Sequence, residues 1–168
     1  MTNPKPFTLQ ELTNRLKQIK AKDIMTKNVI TVKKDDTLDD VAEMMINKRI
    51  SGFPVLEDNK IIGIITANDL FLVMDMIKTG EVLKESSNDK ILPKVNFAMS
   101  TETITVSPEA NLDEIIALMK YRNVYTLPVV SRNKLIGVIG RRDVFNHFYC
   151  TVKGICAIEP GIEHGQSL

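Results

Sequence analysis

A chain of 168 residues with 22 Lys and Arg against 21 Asp and Glu carries a formal charge of +1. It has neither a basic stripe for nucleic acid nor an acidic tail, and it is long enough for one core or two small fused half-cores. Two cysteines (Cys150 and Cys156) make no disulfide framework, and no run approaches the ~18 apolar residues of a membrane span, so a soluble, cytoplasmic chain without a signal peptide is expected.

Residues 1–7, with Pro4 and Pro6, read as an irregular lead-in. A helix follows: Thr8 and Glu11 have capping-box spacing, and Phe7 and Leu12 have that of a hydrophobic staple. Leu9, Leu12, Leu16 and Ile19 mark one helical face, which must pack either across the rest of the chain or on a partner subunit. From there the chain repeats itself. Shifted by 74 positions, residues 24–71 lie over 98–145 without a gap, and about 16 of 48 positions are identical, the mark of a duplicated supersecondary unit.

Each copy has the same predicted order. A short β segment (Val29–Val32; Thr103–Val106) precedes a polar turn and a helix start with Thr37 and Asp40, or Asn111 and Glu114, three apart. The helices show apolar stripes at Leu38, Val41, Ala42 and Met45, and at Leu112, Ile115, Ile116 and Met119. A hairpin follows (Phe53–Leu56 with Ile61–Thr66; Leu127–Val130 with Leu135–Ile139), its connections the polar Glu57-Asp58-Asn59-Lys60 and Ser131-Arg132-Asn133-Lys134. Second helices start after Thr66 and Gly140, so the unit is β-α-β-β-α and the fold class is α/β (α+β) with pseudo-twofold symmetry. The second helices are apolar on more than one side (Leu70 to Met74; Val144, Phe145, Phe148, Tyr149, Val152), which predicts cover by another repeat or a homodimer partner. Residues 79–96 read as the link between copies, and the tail from Gly154 as loosely ordered.

Asp23-Ile24-Met25-Thr26 leading into Ile30-Thr31-Val32, then Phe53-Pro54-Val55 and Gly63-Ile64-Ile65-Thr66-Ala67-Asn68-Asp69, together with Leu127-Pro128-Val129-Val130 and Gly137 to Asp143, resemble the CBS domain, and the pair resembles a Bateman module. The likeness covers about residues 21–150. It divides the chain into an N-terminal arm and helix (1–20), repeat one (21–80), a linker (81–96), repeat two (97–152) and a C-terminal tail (153–168). It implies a regulatory module, commonly dimeric, that binds an adenosine compound (AMP, ADP, ATP or S-adenosylmethionine) in the cleft between repeats and acts on a regulated partner protein.

In this family the strand-to-helix junction reads Gly, two aliphatics, Thr or Ser, two variable residues and Asp, which Thr66 and Asp69 match. A carboxylate can accept both hydroxyls of a ribose diol, and a Thr hydroxyl with the open N–H groups of a helix start can donate to phosphate. The same Thr-x-x-Asp is also an ordinary capping box, so both roles stand open. In the second copy Gly140 replaces the Thr while Asp143 remains, which predicts a weaker, different or empty site. Arg141 and Arg142 place positive charge in the first turn of a helix, against the macrodipole. They read either as solvated cations or as phosphate contacts, with Arg142 the one expected to reach the ligand held by Asp69. The resemblance further assigns the adenine pocket to Val29, Ile30, Thr103 and Ile104 on the lead strands, to Ser51, Gly52, Phe53, Tyr125, Thr126 and Leu127 on the facing walls, and to Ile64 and Val138. Tyr125 could stack on the base.

No P-loop and no catalytic constellation is visible, so no enzymatic activity and no catalytic cofactor are expected. His147 and Cys150, three apart, lack the further ligands of a metal site. The reading from another class is a ligand-free dimerisation module in which both aspartates only cap helices.

Overall fold

The computed structural model describes residues 7–80 and 93–154. The irregular lead-in, the core of the link between copies, and the tail with Cys156 and His164 therefore lie outside the described residues. Among the described residues seven helices and four strands follow in order: α1 (Leu9–Gln18), α2 (Ala21–Ile24), α3 (Leu38–Lys48), β1 (Gly52–Glu57), β2 (Lys60–Thr66), α4 (Ala67–Lys78), α5 (Val95–Ala98), α6 (Leu112–Tyr121), β3 (Thr126–Ser131), β4 (Lys134–Gly140) and α7 (Arg141–Lys153).

The helices begin where the sequence says they should. Thr8 accepts from the Glu11 N–H while the Glu11 carboxylate accepts from the Thr8 N–H at 2.8 Å, closing the capping box of α1. Thr37 and Asn111 accept from the N–H groups of Asp40 and Glu114. Each hairpin turns on two residues of positive φ, Asp58 (48°) and Asn59 (61°), and Arg132 (49°) and Asn133 (59°), the backbone that matches the twist of the flanking strands. β1 pairs with β2 and β3 with β4, both antiparallel, with a register shift at Val55/Leu56 and again at Val129/Val130.

The expected strands 29–32 and 103–106 shrink to one parallel bridge each, Val32 with Val55 and Val106 with Val129. Tight local turns limit them: the Val29 N–H donates to the Lys27 carbonyl and the Thr103 N–H to the Thr101 carbonyl, both at 3.0 Å. In repeat one the far side is closed by the Asp36 carboxylate, which accepts from the Lys33 N–H at 2.7 Å.

The chain forms two compact units whose boundaries fall at Val29/Ile30 and Thr103/Ile104. A terminal unit combines the residues up to Val29 with those from Ile104 onward; a middle unit holds Ile30–Thr103. The segment leading into each sequence repeat is therefore packed with the body of the other repeat. In the terminal unit the Ala21 N–H donates to the Ala110 carbonyl (2.8 Å), the Lys22 N–H to Pro108 and the Leu112 N–H to Ile19. In the middle unit, 74 positions on or back, Val95 donates to Asp36 (2.9 Å), Asn96 to Lys34 and Leu38 to Pro93. Ala21 and Val95 are fully buried at these joints, and ion pairs Lys22–Glu109 (2.6 Å) and Lys94–Asp35 (3.2 Å) bridge the same segments on the surface.

Each unit has its own core. Ile115, Leu127, Val129 and Ile139 centre that of the terminal unit, with Ile19, Ile24 and Met25 added from the lead-in; Val41, Phe53, Val55, Ile65 and Val95 centre the other. Helix α1 packs on α6 and α7, so the arm crosses the second repeat. Only part of its apolar stripe is used: Leu16 and Ile19 join the core, whereas Leu9 is 81% exposed.

Candidate functional site

The hairpin of each unit delivers its second strand into a helix, and the candidate residues gather at that junction. In the middle unit β2 ends at Thr66 and α4 begins at Ala67. Gly52 pairs with Thr66 across the hairpin, and the Ser51 carbonyl accepts from the Ala67 N–H at 2.9 Å, which ties the wall before Pro54 to the helix start. Both the N–H (2.7 Å) and the hydroxyl (2.6 Å) of Thr66 donate to one oxygen of Asp69, Oδ2. The hydroxyl proton that could have met a phosphate is thus held by the carboxylate. Oδ1 of Asp69 has no hydrogen-bond partner among the described residues, and the side chain is half-buried.

The lead-in of the second repeat lies along β2. Ile64 and Ser100 exchange both backbone bonds at 2.9 Å. Gly63 makes this approach possible: a Cβ there would stand 2.8 Å from the Ser100 carbonyl oxygen and 3.0 Å from Met99 Sδ. Ile30 packs against the core of this unit, Phe53 is buried within it, and Gly52 is buried, so Phe53 can offer a ligand only its backbone. The hydroxyl oxygen of Thr103 is buried without a hydrogen-bond partner among the described residues.

The terminal unit repeats the construction with different side chains. Thr126 pairs with Gly140, and Val138 exchanges backbone bonds with Thr26 (2.9 and 3.0 Å), the lead-in of the first repeat. Gly137 faces the Met25 side chain as Gly63 faces Met99. Asp143 Oδ2 accepts from the Gly140 N–H at 2.7 Å, and a Cβ on Gly140 would lie 3.4 Å from that oxygen and 3.9 Å from the Tyr125 carbonyl. Tyr125, Gly140 and Asp143 therefore meet at one point. Burial pushes the Asp143 carboxyl above the usual aspartate range, partly offset by the Gly140 N–H and the Arg142 charge. The Arg141 guanidinium sits 3.7 Å over the Tyr125 ring, whose hydroxyl donates to Asn123 Oδ1. One face of the Tyr125 ring, expected from the sequence to stack on a base, is occupied by Arg141. Leu127 is fully buried, Thr126 is buried and Ile104 packs on the core, while Val29 is half-buried after its turn.

Thr66 and Asp69 fall in the middle unit with Ile30, Ser51, Gly52, Phe53, Ile64 and Thr103; Gly140 to Asp143 fall in the terminal unit with Val29, Ile104, Tyr125, Thr126, Leu127 and Val138. Arg142 and Asp69, paired in the reading from sequence, thus belong to different units. That reading missed the parts played by Met25, Thr26, Met99, Ser100 and Asn123. The identities Met25/Met99 and Gly63/Gly137 in the ungapped repeat were the available signal for the first four. Among the described residues no group of three or more His, Cys, Asp or Glu side chains could hold a metal ion, and no helix is long and apolar enough to cross a membrane.

Comparison with known proteins places this construction. The CBS domain profile matches residues 21–75 and 94–149. The inosine-5′-monophosphate dehydrogenase of Korarchaeum cryptofilum is 31% identical over 140 residues, 82% of this chain and 26% of that enzyme. The chain thus spans about a quarter of such a relative. Among solved structures, AcuB of Vibrio cholerae superposes with a TM-score of 0.68 at 27% identity, covering 85% of this chain and 99% of that one. CBSX2, solved in complex with AMP, does so with a TM-score of 0.63 at 26% identity, covering 76% of this chain and 94% of that one. With two profile matches spanning more than half its length and the same tandem fold, the chain belongs to the CBS domain family.

Proposed function

We propose that the protein is a regulatory module that binds an adenosine compound (AMP, ADP, ATP or S-adenosylmethionine) at its strand-to-helix junctions. The observation that carries this is the Thr66–Asp69 junction: a half-buried carboxylate at a helix start, fixed through one oxygen by two donors and with no further hydrogen bond on its second oxygen among the described residues. A ribose diol can donate to that second oxygen, and phosphate is favoured by the N–H groups and dipole of the first turn of α4. The AMP complex of a 26%-identical CBS pair supports the ligand class. Because each unit mixes a lead-in from one repeat with a hairpin from the other, ligand contacts there bear on both repeats at once. Binding energy that differs between two dispositions of the chain is what such a sensor would pass to a regulated partner protein.

Phe71 (66% exposed), Leu72 and Met74 on α4, and Phe145 (69% exposed), Phe148 and Tyr149 on α7, leave large apolar side chains in water. These support a homodimer as the working form. Catalysis is not part of the proposal; in enzymes such as the dehydrogenase above, the matched segment is about a quarter of the protein.

The second reading, a ligand-free dimerisation module, draws on the same hydrogen bonds, since Thr66 and Asp69 do cap α4. Titration with AMP, ADP, ATP and S-adenosylmethionine, followed by melting temperature and calorimetry on the wild type and Asp69→Ala, separates the two. Ligand at about 100 times its dissociation constant should stabilise the wild type by roughly 2.7 kcal/mol, and Asp69→Ala should lose most of that. No shift with any adenosine compound at millimolar levels would favour the ligand-free module.

A further inference from the structure

We infer that Arg141, seated on Tyr125, makes the junction of the terminal unit selective for phosphate-bearing ligands, so that the two junctions of this protein differ in the ligand charge they accept. This rests on the adenosine-binding reading above and adds to it which residue sets the preference and in which unit.

The two junctions differ in a correlated way. Where the middle unit has Ser51, Thr66 and Ala67, the terminal unit has Tyr125, Gly140 and Arg141 at the positions 74 residues on. The two large side chains arrive together and hold each other: the guanidinium lies 3.7 Å over the ring, and the ring is pinned through its hydroxyl to Asn123. A cation fixed on an aromatic face has given up much of its rotamer freedom before any ligand arrives. It also stands in the first turn of α7, where its charge opposes the helix dipole. Among the described residues no carboxylate lies within ion-pair distance of Arg141. Arg142, by contrast, acts on Asp143 and helps to offset its buried charge. Arg141 is thus a positioned guanidinium at a helix start with no anion to satisfy it, and phosphate is the anion whose geometry suits it.

The carboxylate of the same junction differs from its counterpart too. Gly140 supplies only a backbone donor to Asp143, whereas Thr66 brings a hydroxyl to Asp69 as well. Asp143 is therefore held by backbone N–H groups alone, and no side chain fills the position beside it that a Thr would occupy. The first turn of α4 in the middle unit carries Ala67 and Asn68 and offers no cation. A nucleoside di- or triphosphate suits the Asp143 junction, whereas the Asp69 junction, with only the N–H groups and dipole of α4 to meet phosphate, suits an adenosine compound of lower charge.

The test is calorimetric titration of the full chain with ATP and with adenosine, comparing wild type, Arg141→Gln, Asp143→Asn and Asp69→Asn. Arg141 is exposed, so its replacement leaves the core intact. At the site that Asp143→Asn removes, Arg141→Gln should lower the ratio of ATP to adenosine affinity by about tenfold or more, and the weakening of ATP binding by added salt should flatten. The site that Asp69→Asn removes should be unchanged by Arg141→Gln. If Arg141→Gln leaves that ratio at its wild-type value while Asp143→Asn still removes a site, the assignment of Arg141 is wrong and adenosine binding stands. If neither aspartate variant alters binding of either ligand, or neither ligand binds the wild type, the adenosine-binding reading fails and this inference fails with it.

Discussion

The side chain of Met25 occupies the space that a Cβ on Gly137 would need. Its counterpart is Gly63, where a Cβ would press on the Ser100 carbonyl oxygen at 2.8 Å and on Met99 Sδ at 3.0 Å. These contacts seat each lead-in on the strand that runs into a junction aspartate. Both Gly→Ala variants should lose stability, by about 1–3 kcal/mol each as for overpacked cores, read by denaturant midpoint. They should differ in rescue. A Met25→Ala partner should recover part of the loss in Gly137→Ala, because the obstacle is a flexible side chain. Met99→Ala should recover little in Gly63→Ala, because the obstacle is backbone. Equal rescue in the two double-mutant cycles would contradict this picture.

The hydroxyl of Thr66 serves Asp69 rather than waiting for a ligand. Thr66→Val should cost about 0.5–2 kcal/mol of stability, as for a lost cap. Thr66→Ser should restore it. If the carboxylate is the ligand contact, Thr66→Val should reduce the ligand-induced shift in melting temperature less than Asp69→Ala does. A larger reduction from the Thr variant would mean that the hydroxyl meets the ligand directly.

Much of this was legible in the sequence because it is local. Thr8 and Glu11, Thr66 and Asp69, and the Asp58-Asn59 turn each lie within four residues, so spacing alone specifies their bonds. The ungapped repeat carried the order of elements for the same reason. What escaped was non-local. The lead strands at Val29 and Thr103 look extended by composition, yet short turns confine each to one bridge, which alternation cannot reveal. The exchange of lead-ins between repeat bodies joins residues such as Ala21 and Ala110, and nothing in the pattern around either names the other. The site was half visible. Asp69 and Asp143 stood out by repetition, but Phe53 and Leu127, read as pocket walls, have fully buried side chains and are core first. Apolar residues look the same in a sequence whether they line a pocket or fill a core. Arg141 and Arg142 are equivalent cations by spacing, and only the structure shows that it is the Arg141 guanidinium that the Tyr125 ring receives.

The exposed apolar side chains of α4 and α7 give a direct test of self-association. Phe71→Glu and Phe145→Glu each replace a ring that is about two-thirds exposed, so neither should unfold the chain that carries it. The wild type should sediment as a dimer at micromolar concentration with a melting temperature that rises with protein concentration, and the double variant as a monomer without that dependence. A wild type that remains monomeric at all accessible concentrations would remove the dimer from the proposal.

The carboxyl of Asp143 gives a pH dependence whose sign follows from its burial. Its pKa is raised in the folded chain, so folding favours the protonated form. Above the folded pKa the ionised group opposes folding; below the ordinary aspartate value of 3.8 both states are protonated and the cost disappears. Asp143→Asn keeps an oxygen to accept the Gly140 N–H and removes the charge. The variant should therefore melt higher than the wild type at neutral pH. That advantage should shrink as pH falls through the raised pKa and vanish below the ordinary aspartate value. Melting curves of both proteins without ligand, from about pH 3 to 8, read this directly. A variant that melts lower than the wild type across the whole range would show that the backbone N–H groups of Gly140 and Asp143 and the Arg142 charge outweigh the cost of burying the carboxylate.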